Sequence, residues 1–321
     1  MNVFFDPFSL TYHFNNNIVD THSVKLYNSE RVKSWLLRKL YALLFYIKLF
    51  TVLFNPTLSR VVFNISVVPL LDAVFVFFLR LRKVRVILIL HNIDVSRNGM
   101  YLNRSFCIGI LFRLVNKIVI HSSLEHFKNR FGSVYVDKVI ILSLPVRSAG
   151  RGQLSRENGV LRFLFIGIVD FYKGLDRLVE YFIKLDKPVA LSIVGVHSID
   201  ISETILRLKE NAFISLEIVD DYISQDVYDF YLEKSDVILL PYRECSGSAV
   251  LTDAIAKGKF ILASNLEYFN NISNKYARMK VSDFKSNSMN EEYVFISKNL
   301  QAPYTLNFLT PNQYFLKLVE L

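Results

Sequence analysis

The sequence predicts an α/β protein of two Rossmann-like domains with parallel sheets, and three observations carry that expectation. At 321 residues the chain exceeds the size at which a single hydrophobic core stops growing, so two domains of roughly 150 residues each are expected. Short apolar runs alternate with helical stretches along most of its length, the pattern of strands joined by crossover helices. Between two strongly apolar regions lies the polar segment 146–159, VRSAGRGQLSRENG, which reads as an interdomain linker because glycine and charge leave it nothing to bury.

In the first half, strands are expected at 3–5, 24–26, 61–65, 85–90, 117–120 and 138–141, with helices between them. The rhythm restarts after the linker. Strands at 161–166, 190–194, 215–219, 237–240 and 260–263 alternate with helices at 175–185, 203–209, 227–233 and 249–256. Beyond 281 the pattern is weak until a short terminal helix at 312–321. The resulting division is 1–148 for the first domain, 149–159 for the linker, 160–305 for the second domain and 306–321 for a terminal helix returning toward the first.

Lysine and arginine exceed acidic residues by 38 to 29, which favours a polyanionic partner. The bases concentrate at 31–48 and 80–85, beside apolar runs, and this points to an anionic membrane surface and away from nucleic acid. Segment 31–54, RVKSWLLRKLYALLFYIKLFTVLF, has its longest charge-free run at 40–47, too short for a bilayer that needs about 20 residues. It is expected to lie in the interface, with Arg31, Lys33, Trp35, Arg38 and Lys39 as the membrane or acceptor contacts. Segment 61–79 is interrupted by Asn64, Pro69 and Asp72, so a strand followed by a helix accounts for it better than a span. Cys107 and Cys245 stand alone without metal-ligand spacing, which predicts neither a disulfide nor a zinc site and suits a reducing compartment. The opening residues have neither a basic n-region nor a cleavage site, so no secretory signal is expected.

Two segments carry the chemistry. In FLFIGIVDFYKGLDRL a buried strand ends at Gly167, and Lys173-Gly174 is expected to open the next helix. A glycine there lets a ligand approach the backbone, while a helix N-terminus offers free N–H groups and a positive dipole end. In LLPYRECSGSAVLTDAIAKG a strand ends at Pro241-Tyr242, and Ser246-Gly247-Ser248 leads into a helix. Small hydroxyls and glycine at a helix N-terminus suit a diphosphate, although Ser248 could equally be an ordinary cap.

In this order the two segments, with YLEKSDVILLPY between them, resemble the C-terminal half of GT-B glycosyltransferases, particularly the retaining family numbered four, over about residues 160–265. The resemblance implies two Rossmann-like domains facing across a cleft, the second holding a nucleotide diphosphate sugar. It makes Gly167, Lys173, Ser246, Gly247 and Ser248 the diphosphate contacts. Asp253 stands where the family has the second of two glutamates, which contacts the ribose, and Glu244 lies beside the place of the first, occupied here by Cys245. The family's phosphate-binding arginine is replaced by Ile168. Upstream, VRVILILHNID resembles the family's strand ending in a cleft histidine, which implies a catalytic role for His91, with Asn92 and Asp94 near the acceptor. His121-Ser122-Ser123 follows another strand and could line the same cleft, or Ser122 could cap a helix; Asp236 reads as structural.

The activity so implied is metal-independent transfer of a sugar, with retention, to a polyprenyl-diphosphate-linked or other glycan acceptor. It would take place in the bacterial cytoplasm at the inner face of the membrane, in capsule, lipopolysaccharide or exopolysaccharide assembly. No cofactor and no nucleic-acid partner are expected. Two alternatives stay open: an inverting transferase with His91 or Asp94 as base, and a catalytically silent GT-B-like subunit that binds a partner transferase.

Overall fold

The computed structural model describes residues 2–6, 21–25, 46–47, 49–64, 69–90, 101–146, 159–300, 303 and 308–321. The chain divides into two compact units, Met1–Leu144 with Leu309–Leu321, and Pro145–Phe308. The strands of the first are β1 (Asn2–Asp6), β2 (Thr21–Lys25), β3 (Arg60–Asn64), β4 (Arg85–Leu90), β5 (Lys117–Ile120) and β6 (Val139–Ile141). Those of the second are β7 (Leu161–Ile166), β8 (Val189–Val194), β9 (Ile214–Val219), β10 (Val237–Leu240), β11 (Phe260–Ser264) and β12 (Met279–Ser282). The described helices are α1 (Pro69–Leu81), α2 (Tyr101–Leu114), α3 (Leu124–Phe131), α4 (Arg177–Phe182), α5 (Ser202–Lys209), α6 (Gln225–Lys234), α7 (Ala249–Ala256), α8 (Glu267–Ser273), α9 (Met289–Asn299) and α10 (Pro311–Glu320).

Among the described residues each unit holds one six-stranded sheet, in the orders β2-β1-β3-β4-β5-β6 and β12-β11-β10-β7-β8-β9, and the strand pairs are parallel. Strand β4, RVILIL, shows why its sequence is apolar after the exposed Arg85. Val86, Leu88 and Leu90 pack on one face with Phe75, Leu79, Leu111 and Phe112, while Ile87 and Ile89 pack on the other with Tyr314 and Leu318 of α10. A sheet covered on both faces has no position for a polar side chain.

Helix α10 therefore belongs to the first unit. Its start is set by a capping box between Thr310 and Gln313, with Pro311 in the first turn. The division between units falls before Val146, which is buried in the second core beside Leu164 and Ile166. Segment 61–79 resolves into β3 and α1, and no helix among the described residues is long and apolar enough to cross a membrane. The end of segment 31–54 contributes to the core, with Tyr46 and Leu49 buried and Tyr46 donating to Asp72 at 3.1 Å. Arg31, Lys33, Trp35, Arg38 and Lys39 lie outside the described residues.

Asp236 has a structural role. It is fully buried and accepts from the Arg162 backbone N–H at 2.9 Å and from its guanidinium at 3.1 and 3.0 Å, tying the starts of β7 and β10 together. His121 is also buried. Its Nδ1 lies 2.8 Å from the Leu142 carbonyl, which can only accept, so Nδ1 carries the proton, and its ring lies beside Tyr314. The cap of α3 is Ser123, whose hydroxyl accepts from the His126 N–H at 3.1 Å, one residue beyond the expected Ser122.

Burial pulls the His121 imidazole down to about 4. Below its ordinary value of about 6.5 the unfolded chain takes up a proton that the folded chain refuses until far lower pH. This part of the stability is whole above that value and is lost as pH falls through the window, by roughly 3 kcal/mol. Between pH 7 and pH 4.5 the gap in unfolding midpoint between wild type and His121→Phe should shift in the variant's favour. A gap that stays constant would contradict the assignment.

Candidate functional site

All strands of the second sheet run parallel, so their carboxyl ends share one edge. From β7 the chain proceeds outward through β8 and β9, then returns to the other side of β7 and proceeds through β10, β11 and β12. The direction of winding reverses between β7 and β10, so the loops leaving their carboxyl ends lie side by side at the place where open α/β sheets hold their ligands. Those loops are the two segments singled out in the sequence.

The loop after β7 begins at Gly167, whose φ of 104° suits only glycine. Its N–H donates to the Val194 carbonyl at 2.9 Å. The chain then forms a 3-10 turn at Phe171–Lys173, closed by Gly174 in the left-handed conformation, and α4 starts only at Arg177. The expectation that Lys173-Gly174 opens the helix is thus corrected: a tight turn intervenes, and Lys173 is buried within it. The turn folds the lysine back over the strand end. Its Nζ stands 2.7 Å from where a Cβ on Gly167 would lie, and 5.8 Å from the centre of the Tyr242 ring.

The loop after β10 runs from Pro241 to Ser248. Ser246 and Ser248 are buried, and the Ser248 hydroxyl accepts from the Leu251 N–H at 3.2 Å, capping α7. That bond satisfies one of the N–H groups that a first helical turn leaves without intrahelical acceptors. The remainder and the positive end of the helix dipole are the features that attract an anion.

The two loops are in direct contact. A Cβ on Gly174 would fall inside the carbonyl oxygen of Pro241. The Arg243 N–H donates to the Tyr172 carbonyl at 2.7 Å, and its guanidinium donates to the Phe171 carbonyl at 2.8 Å, stacks on the Phe171 ring and pairs with Asp176. That bond and the Arg243 charge hold the Asp176 carboxyl below its ordinary range. Arg177 donates to the carbonyls of Pro241 at 3.1 Å and Asp283 at 3.1 Å. A Cβ on Gly167 would also come 3.9 Å from Val250 in the first turn of α7, so Gly167, Lys173 and the α7 N-terminus converge.

Asp253 lies one turn further along α7 and accepts from the Tyr228 hydroxyl at 3.1 Å. Burial and the Asp253 charge push that phenol well above its ordinary range. Glu244 is exposed, Cys245 is half-buried, and Ile168 is exposed beside Gly167. His91, Asn92 and Asp94 lie outside the described residues. Among the described residues, no group of three His, Cys, Asp or Glu side chains is placed to hold a metal ion.

Sequence reasoning missed the loop after β8. Gly195, with φ 128°, packs so closely on the backbone of Gly167 that a Cβ would overlap its carbonyl oxygen. Two residues on, the His197 backbone N–H donates to Asp220 at 2.8 Å, its Nδ1 lies 3.3 Å from the same carboxylate, and its buried Nε2 has no hydrogen-bond partner. The signal was present as a second strand ending in glycine, SIVGVH, parallel to FLFIGIV.

Comparison with solved structures returns proteins of the same architecture. HepE of Anabaena, solved in complex with UDP and glucose, superposes with a TM-score of 0.65 at 12% identity, covering 99% of each chain. The lipopolysaccharide outer core galactosyltransferase WaaB gives 0.58 at 11% identity, over 95% of this chain and 92% of that one. The catalytic domain of starch synthase IV from Arabidopsis thaliana, bound to ADP and acarbose, gives 0.59 at 10% identity, over 83% and 70%. No protein-family profile and no curated protein matches the sequence. The fold is the GT-B architecture of two Rossmann-like α/β units.

Proposed function

We propose that this chain is a metal-independent glycosyltransferase that moves a sugar, with retention, from a nucleotide diphosphate sugar to a lipid-linked or other glycan acceptor. The observation that carries the proposal is the meeting of two turns at the reversal point of the second sheet, with Lys173 folded over Gly167 and the α7 N-terminus beside them. Three relatives in fold lend support: HepE was solved with UDP and glucose, starch synthase IV with ADP, and WaaB is a galactosyltransferase.

Cleavage of the donor's glycosidic bond leaves negative charge on the diphosphate and positive charge on the sugar. Donors fixed in place before the reaction stabilise the leaving group without reorganisation. In this reading Lys173 supplies a full positive charge, the loop from Ser246 to Ser248 with α7 supplies backbone N–H groups, and Glu244 and Asp253 hold the ribose or sugar. His91 and Asp94 act on the sugar and acceptor. With Ile168 in place of a second cation, the site leans more heavily on Lys173. A polyprenyl-diphosphate acceptor at the inner face of the cell membrane, in surface polysaccharide assembly, fits the basic apolar segment around Arg31, Lys33, Trp35, Arg38 and Lys39.

A panel of UDP-, GDP-, dTDP- and ADP-sugars tested by thermal shift with EDTA present should contain a donor that raises the midpoint. Saturation at 100 times Kd corresponds to about 2.7 kcal/mol of stabilisation. Product configuration by NMR then separates retention from inversion through His91 or Asp94. If no nucleotide sugar stabilises the chain and none is hydrolysed, the enzymatic reading is wrong and the silent-subunit reading replaces it.

A further inference from the structure

Helix α1, PLLDAVFVFFLRL, is apolar around most of its circumference, with Asp72 and Arg80 as its charges, and a helix packed on a sheet by one face then leaves apolar residues in water on the other. Its inner face is accounted for: Phe75, Val76 and Leu79 are buried in the first core. Its outer face carries Leu70, Val74, Phe77, Phe78 and Leu81, all exposed, with Leu81 at 65%. At 100° per residue these five fall within an arc of about 100°, a continuous stripe along the helix. The one acidic residue of α1, Asp72, faces inward and accepts from Tyr46. The usual arrangement, charge outward and apolar inward, is reversed at that position.

The stripe extends beyond the helix. Arg82 donates to the carbonyls of Leu53 and Asn55, which bracket Phe54 and hold it beside the carboxyl end of α1. Phe54 is 86% exposed. Around this apolar strip positive charge predominates. Arg80, Arg82, Lys83 and Arg85 are exposed at the end of α1. Among the described residues between 46 and 124 the only carboxylate is the buried Asp72; nearby, the exposed Asp137 is within electrostatic reach of Lys138, as Arg80 is, and Arg85 donates to the Leu321 oxygen at 2.9 Å.

We infer that the outer face of α1, with Phe54 and the four cations at its end, docks on an anionic lipid bilayer. The inference deepens the membrane reading of the proposed function and rests on it, but assigns contact to a different face from the basic segment at 31–39. A helix of 13 residues is about 20 Å long and lies in the plane of the interface, with its aromatic stripe among the acyl chains and its cations at phosphate level. Charge decides between a bilayer and a second copy of this chain. A second copy presents the same patch, where among the described residues exposed cations outnumber the one nearby exposed carboxylate, Asp137, whereas anionic headgroups supply negative charge at every position.

The test is co-flotation of the full chain with vesicles of phosphatidylcholine, alone or with about 30% phosphatidylglycerol. Wild type should float with the anionic vesicles only. Phe77→Ser/Leu81→Ser should lower partitioning at least tenfold, with unchanged unfolding midpoint and unchanged donor binding. Lys83→Asn, which suits the φ of 59° at that residue, should lower it about fivefold. Phe54→Ser, at a side chain outside the core, should weaken binding without any effect on folding. Should the double variant and Phe54→Ser bind like wild type while serine at Arg31, Lys33, Arg38 and Lys39 releases the protein, the α1 inference fails and the membrane reading survives. Failure of wild type to bind either vesicle overturns both. A dimer that the double variant dissolves, with no vesicle binding, assigns the face to a second copy and overturns the inference.

Discussion

Lys173→Ala is expected to lower sugar transfer by roughly a thousandfold, the scale on which loss of a single fixed donor to a developing anion acts. The substitution removes the ammonium group that the 3-10 turn folds over Gly167, beside Ile168, which offers no second charge. Because Lys173 is buried, lost packing is a competing explanation for any loss of activity. Lys173→Met separates the two, since it keeps a stem of similar length without the charge. The methionine variant should keep the unfolding midpoint and still lose transfer, measured as kcat with the donor identified by thermal shift. Turnover near wild type in Lys173→Met would remove the lysine from the chemistry.

Gly174→Ala should destabilise the second unit by about 2–4 kcal/mol, combining a left-handed backbone with a Cβ that has no space. At φ 65° the residue sits where its Cβ would enter the Pro241 carbonyl oxygen, so relief requires the two loops to separate. Donor affinity should therefore fall along with the unfolding midpoint. Gly159→Ala is the control: its φ of 73° carries the same backbone cost, but nothing lies within 4 Å of an added Cβ. It should cost about 1–2 kcal/mol and leave donor binding intact. Equal effects at the two glycines would mean that contact between the loops contributes nothing to the grip on the donor.

Much of the fold was legible because the sheets are buried on both faces. The strands from 161 to 240 read as apolar runs, and the observed bounds of β7 and β10 match the expected ones. The same logic failed after residue 264. Helix α9 was not expected because its buried stripe consists of Met289, Glu292 and Ile296, and a glutamate in the middle breaks the apolar period. Tyr181 donates to the Glu292 carboxylate at 2.7 Å, and burial raises the pKa of the acid. Nothing in the local sequence announces a partner more than a hundred residues away.

The candidate site divides in the same way. Glycine at the end of a strand, a lysine shortly after, and a small-residue loop before a helix are local signals, and these made Gly167, Lys173, Ser246, Gly247 and Ser248 the candidates. That the two loops carrying them touch is a property of strand order. The chain reverses its winding between β7 and β10, which places two loops separated by about seventy residues side by side. The third loop, with Gly195 and His197, joins them because β8 lies next to β7. Local pattern determines which backbone is helix, strand or turn through hydrogen bonding and burial within a few residues. Only the tertiary arrangement decides which turns face one another and, on α1, which apolar residues are left without a core to enter.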